Sequence, residues 1–263
     1  MGILNLTSDS FYDGNKYPNI EKQMLRVEQL LNVGADIIDI GAMSSRPGAY
    51  ISKPADELAV LLPIIEKTTA RFKDCIISVD TIHSSVAKAV IEAGAAMIND
   101  ISGGIFDNEM MKTVGSFANV PYVLMHMKGT PETMKTLTDY DNMLLEISNY
   151  FVEGLDKAKK AGIQDVIIDP GFGFSKTIEQ NFELLNRLNE FSIFDKPLLV
   201  GLSRKSLIYK TLNKTVNEAL NGTTVLNTVS LMKGAHILRV HDVEAAVETV
   251  KLVAALNKTN KTL

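Results

Sequence analysis

The sequence predicts an α/β protein built as a single closed (β/α)8 barrel, the TIM-barrel architecture, spanning residues 1–263. Two observations carry this expectation. First, four segments resemble one another: "NVGADIIDIG", "EAGAAMINDI", "KAGIQDVIID" and "MKGAHILRVH". In each, a Gly follows a helical pattern, and a β-rich apolar run then ends in a polar residue; such a Gly suits a helix C-cap, where the left-handed backbone costs it least. Second, these glycines (34, 94, 162 and 234) stand 60 to 72 residues apart, twice the length of one βα unit. One further unit is therefore expected in each gap.

The missing strands are present as "CIISVD" (75–80), "PYVLMH" (121–126) and "PLLVGLS" (197–203), with "GILNL" (2–6) opening the series. Amphipathic segments separate the eight runs, near 20–33, 54–70, 84–93, 107–117, 141–161, 178–189, 204–232 and 243–258. Eight alternations in a chain near the usual ~250 residues point to closure. An open doubly wound sheet satisfies the same pattern, because periodicity does not report closure. No linker or composition break divides the chain into two domains.

Composition narrows the function. Aromatic residues make up 6% with no Trp, which disfavours a surface that stacks on nucleic acid. With 27 Lys plus Arg against 31 Asp plus Glu, an anionic ligand has to be held by local basic groups and not by the overall field. Cys75 has no partner for an intrachain disulfide, which fits a reducing compartment. No apolar run approaches the ~20 residues that span a bilayer. No signal peptide is recognisable either, so no membrane association and a cytoplasmic location are expected.

A barrel gathers the carboxyl ends of its strands at one mouth, where the chemistry sits. The eight runs end in Asn5; Ser44, Ser45 and Arg46; Asp80; Asn99 and Asp100; His126; Asp169; Ser203, Arg204 and Lys205; Arg239 and His241. Asp80, Asn99 and Asp169 offer the mixed donors and acceptors that suit a flat heterocycle. Asn5, Arg239 and His241 could hold a phosphate, Arg by a charge-assisted fork, and residues 239 and 241 leave an extended chain on the same side. Lys205 lies between the two groups. In "SSRPG", Pro47 lacks an amide donor and Gly48 permits a turn, which leaves Ser45 and Arg46 at the mouth.

In order and spacing, "GILNLTSDSFYDG", "SSRPGA", "SVDT", "INDISGG", "DPGFGFSK", "GLSRKS" and "LRVHDV" resemble the dihydropteroate synthase family over residues 2–243. The resemblance implies the same barrel and a transferase of folate biosynthesis. The reaction would condense 6-hydroxymethyl-7,8-dihydropterin pyrophosphate with 4-aminobenzoate to give 7,8-dihydropteroate and pyrophosphate. It implies a dissociative substitution, sulfonamide inhibition and a homodimer. It also assigns residues. Asp80, Asn99, Asp169 and Lys205 would surround the pterin. Asn5, Arg239 and His241 would hold the pyrophosphate, with magnesium (Mg2+) near Asn5. Ser45, Arg46, Pro47, Phe172 and Ser206 would form the aminobenzoate pocket. Phe11 and Asp13 belong to a mobile first loop, and Asp80, Asp169, Lys205, Arg239 and His241 carry the catalysis.

Blander readings apply elsewhere. "GFGF" reads as a turn with two packed Phe as readily as a ligand contact, and His126 reads as a hydrogen-bonded wall residue. Lys128 reads as part of a solvated loop. With no H-E-x-x-H and no Cys/His cluster, structural zinc is not expected. Ile82 and His83 depart from the aromatic and Arg common in the family, beyond Asp80. A pterin-binding methyltransferase-like barrel and a non-catalytic pterin-binding protein are the alternatives. Neither needs the pair Arg239 and His241.

Overall fold

The computed structural model describes residues 1–6, 19–42 and 51–259. The first half of the chain runs β1 (Gly2–Asn5), α1 (Ile20–Asn32), β2 (Ile37–Gly41), α2 (Pro54–Arg71), β3 (Ile76–Asp80), α3 (Ser84–Glu92), β4 (Met97–Asp100) and α4 (Met110–Gly115). The second runs β5 (Tyr122–Met125), α5 (Met143–Lys160), β6 (Val166–Asp169), α6 (Ile178–Asn186), β7 (Leu199–Val200), α7 (Ser206–Thr211), α8 (Leu220–Met232), β8 (Ile237–Leu238) and α9 (Val243–Thr259). Strands β1 to β6 pair in chain order, and β7 pairs with β8, all in parallel.

Two isolated parallel bridges join the arcs. Ile168 bridges to Leu198 and Gly2 to Val240, with Ile168 N donating to Pro197 O at 3.0 Å and Ile3 N to Val240 O at 2.9 Å. The sheet therefore closes on itself as a (β/α)8 barrel, and the open-sheet alternative is excluded.

The four repeated glycines do what the sequence predicts. All have positive φ, between 91° and 108°, and each ends its helix with the same pair of bonds. Gly34 N donates to Leu31 O and Ala35 N to Leu30 O; Gly162 N donates to Lys159 O and Ile163 N to Ala158 O. These are Schellman caps, which satisfy orphan carbonyls and aim the chain into the next strand.

Alternation along the strands separates two cores. Ile38, Ile40, Ile77, Val79, Ile98, Leu124, Ile168 and Val200 pack outward with Val27, Leu61, Ile64, Val86 and Val90 of the helices. Each fully buried aliphatic side chain contributes roughly 1.5–3 kcal/mol. The intervening residues face inward, where Met97, Val123, Ile167 and Leu199 form an apolar floor with Ile37 and Ile237 against it.

Departures occur where local chemistry interrupts the pattern. The segment expected as one amphipathic stretch over 204–232 is α7, a 3-10 turn (Val216–Glu218) and α8. Asn213 takes a left-handed φ of 52° after α7, and a Thr215–Glu218 capping box starts the turn anew. The seventh and eighth strands keep only two residues each in the ladder, while Arg239 N still donates to Val200 O and Val240 bridges to Gly2. Among the described residues no helix is long and apolar enough to cross a membrane.

Candidate active site

The polar mouth is built by the same period of two. Asp39, Asn99, Asp169 and Arg239 follow the floor residues Ile37, Met97, Ile167 and Ile237 by two positions, so they leave their strands on the inner side. Ser78 and Asp80 do so on β3.

Asp39 organises this layer. It is fully buried; its Oδ1 accepts from Ser78 Oγ at 2.6 Å, and its Oδ2 accepts from Asn99 Nδ2 at 3.1 Å and Arg239 Nε at 2.6 Å. The second contact fixes which end of the Asn99 amide turns inward. Arg239 also donates through Nη2 to Asp80 Oδ2 at 3.0 Å. Burial pushes the Asp80 carboxyl above the usual carboxylate range, with Arg239 opposing. Asp169 is raised in the same way, with Lys205 opposing, and its Oδ1 accepts from Gly171 N at 2.8 Å.

Lys205 precedes α7. Its Nζ donates to the Phe172 carbonyl and lies 4.6 Å from the centroid of the Phe174 ring. Burial brings it down to about 8, against the pull of Asp169. His241 N donates to Ser203 Oγ at 3.1 Å. Burial first, and then the Arg239 charge, lower its imidazole to about 4, so it is neutral at neutral pH. Ser206 is the first residue of α7 and half-buried, and Asn5 is exposed at the end of β1, in register with Gly41.

Several expectations change in this setting. Arg239, grouped by sequence with the phosphate set, is bound directly to Asp80 of the heterocycle set. The Phe172 ring is 1% exposed inside the main core, so what this residue offers the mouth is its carbonyl. Arg204 is spoken for by Asp242, with two 2.8 Å contacts. Lys128 is tied down by Glu146 at 2.6 Å and stacks over Tyr140, unlike a solvated loop residue. Ser45, Arg46, Pro47, Phe11 and Asp13 lie outside the described residues.

A family model described as "Pterin binding enzyme" matches residues 1–241. The chain is 40% identical to the dihydropteroate synthase of Escherichia coli (strain K12), over 97% of this chain and 90% of the relative. It is 42% identical to that of Clostridium beijerinckii, over 92% and 88%. The chain belongs to the dihydropteroate synthase family of pterin-binding enzymes. Among solved members, the Yersinia pestis dihydropteroate synthase in complex with a sulfonamide drug superposes with a TM-score of 0.92 at 37% identity, covering 98% of this chain and 94% of that one. The Xanthomonas albilineans enzyme with 4-aminobenzoic acid gives 0.89 at 35% identity, covering 98% and 92%.

Membership of the family does not rescue the magnesium expectation. Among the described residues no three His, Cys, Asp or Glu side chains converge as ligands for a metal ion. Asn5 offers one neutral amide oxygen, while Asp80 and Asp169 of the mouth accept from Arg239 and from the Gly171 amide. The Mg2+ site placed near Asn5 is therefore corrected. Two residues of the site were missed from sequence. Asp39 was hidden inside the apolar run "DIIDIG", although its spacing of two from Ile37 already aimed it inward. Lys176, at the end of "DPGFGFSK", carried no signal that it would be buried.

Proposed function

We propose that the barrel mouth joins 6-hydroxymethyl-7,8-dihydropterin pyrophosphate to 4-aminobenzoate, forming 7,8-dihydropteroate and releasing pyrophosphate. The observation that carries this reading is the buried Asp80, Asn99 and Asp169 grouped with the half-buried Lys205 and Arg239, in a chain 40% identical to a dihydropteroate synthase.

Asp80, Asn99, Asp169 and Lys205 take the pterin. The two carboxyls are already desolvated by the fold, so ring N–H donors meet acceptors that water does not compete for. Arg239, His241 and Asn5 take the pyrophosphate. The bond from the pterin methylene carbon to the pyrophosphate oxygen breaks with its electron pair leaving on that oxygen, where the Arg239 guanidinium spreads the developing charge. The methylene cation is delocalised into the ring beside Asp80 and Asp169. The aniline nitrogen then forms the C–N bond with its lone pair and releases a proton to water or to the departing pyrophosphate. A weak, neutral nucleophile of this kind gains most from positioning, and no covalent enzyme intermediate forms. Secondary isotope effects near unity at the methylene would overturn the dissociative order.

Ser45, Arg46, Pro47 and Ser206, with the Phe172 backbone, form the aminobenzoate subsite, and sulfonamides compete there. The first loop with Phe11 and Asp13 closes over it. The chain works as a homodimer, a reading supported by exposed Val225, Met232, Val250, Leu252 and Leu256 on α8 and α9. The lone Cys75 supports a cytoplasmic setting.

The test is pyrophosphate release from the pterin substrate with and without 4-aminobenzoate, in wild type and Arg239→Ala. Release should depend on aminobenzoate and fall by ~10²–10³ in the variant, the scale of losing one preorganised donor at a developing anion. Pterin binding without release would leave a pterin-binding protein that is not a synthase.

A further inference from the structure

A buried lysine that the proposed reaction leaves unused lies behind the loop joining β6 to α6. Lys176 is 8% exposed. Its Nζ donates to the carbonyls of Gly171 and Phe174, each at 3.1 Å, and faces His126 Nδ1 at 3.2 Å. The loop it ties is tightly wound: Gly171 and Gly173 have φ of 72° and 80°, and Ser175 of 48°. A Cβ at position 171 would lie 2.0 Å from the His126 carbonyl oxygen, so the backbone cannot shift toward β5.

Between the two tied carbonyls, this loop turns the Phe172 carbonyl onto Lys205 Nζ and sets the Phe174 ring beside the same ammonium. Gly173 gives room to the stem, since a Cβ there would stand 3.0 Å from Lys205 Cδ. The head and stem of Lys205 thus rest on the segment that Lys176 knots from behind.

We propose that Lys176 is a positioning residue for Lys205, holding the β6–α6 loop so that the Lys205 ammonium stays fixed beside Asp169 at the mouth. The proposal rests on the reading of Lys205 as a substrate-binding group. Burial lowers Lys176 to about 7, against the pull of Asp169, and in either protonation state its amine keeps N–H donors for the Gly171 and Phe174 carbonyls. A lysine that served only to stabilise the loop would cost folding and leave the behaviour of Lys205 alone.

A double-mutant cycle separates these roles, because coupled residues lose additivity. Lys176→Met, Lys205→Met and the double variant are compared by kcat/KM for the pterin substrate at saturating 4-aminobenzoate. Lys176→Met should lower it about 100-fold, the scale of an ångström-sized displacement at a reacting centre. In the Lys205→Met background the same substitution should cost less than about 3-fold. Should Lys176→Met fail to fold, His126→Asn removes one partner of the ammonium and keeps both carbonyl bonds; its smaller loss should likewise vanish without Lys205. Equal costs in both backgrounds, or no loss from Lys176→Met, overturn the positioning role while leaving the Lys205 reading intact. A harmless Lys205→Met removes that reading and the proposal together.

Discussion

Asp39 Oδ2 and Arg239 Nε meet at 2.6 Å across 200 residues of sequence. They come from β2 and from the end of β8, the two strands that flank β1, so the contact exists only when the barrel is closed. The same carboxylate orients Asn99 and, through Arg239, reaches Asp80. One buried acid therefore coordinates three side chains assigned to substrate.

Asp39→Asn should destabilise the fold and impair the enzyme together. Removing the Asp39 charge leaves Arg239 to its contact with Asp80, and breaking one half of a buried, hydrogen-bonded ion pair costs about 3 kcal/mol. Urea denaturation reads this as a lower midpoint with an unchanged slope. An unshifted midpoint would show that Arg239 finds equivalent compensation elsewhere.

His241 makes stability depend on pH with a defined sign. Its folded value lies near 4, below the ordinary 6.5, so the unfolded chain binds a proton in this window that the native state refuses. Its contribution is present above about 6.5 and is lost as pH falls toward 4. The drop in unfolding free energy between pH 7 and pH 5 should be smaller in His241→Gln than in wild type. Parallel curves for the two proteins would contradict the assignment.

Two glycine substitutions should separate the stability face from the mouth. A Cβ at Gly115, where α4 ends, would lie 1.9 Å from Ala161 O at the end of α5. Gly115→Ala should lower the melting temperature, with overpacking costing about 1–3 kcal/mol, while the KM values of the folded enzyme stay as they are. Gly171→Ala meets the His126 carbonyl beside the site and should reduce both stability and kcat/KM. A raised KM in Gly115→Ala would mean that strain at the far end reaches the mouth.

Sulfamethoxazole should compete with 4-aminobenzoate. Initial rates at rising drug should show an increasing KM for aminobenzoate with constant kcat. No insertion interrupts "SSRPG", the segment assigned to that subsite. Undiminished turnover at drug concentrations far above substrate would remove the assignment.

Much of the site was legible because strand-end position is a local property. Asp80, Asn99 and Asp169 end apolar runs, and the runs themselves reveal where the mouth lies. The burial of the Phe172 ring was not legible because an aromatic in a glycine turn carries no mark of whether its ring turns inward or outward. Lys176 was overlooked because its acceptors are loop carbonyls, which every sequence has and none displays. The magnesium expectation came with the resemblance, whereas a metal site requires convergent ligands in space, and the described residues bring no such group together.

The sequence by itself determined the eight alternations, the glycine caps at 34, 94, 162 and 234, and which residues face inward, since each follows from the helical period, the strand period of two, or the φ freedom of one residue. Tertiary structure alone decided that the sheet closes, through Ile168 with Leu198 and Gly2 with Val240. It alone decided that Asp39 holds Arg239 and that the Phe172 carbonyl holds Lys205. Periodicity states which face a side chain takes; its partner across the barrel is set only when closure brings distant strands within hydrogen-bonding distance.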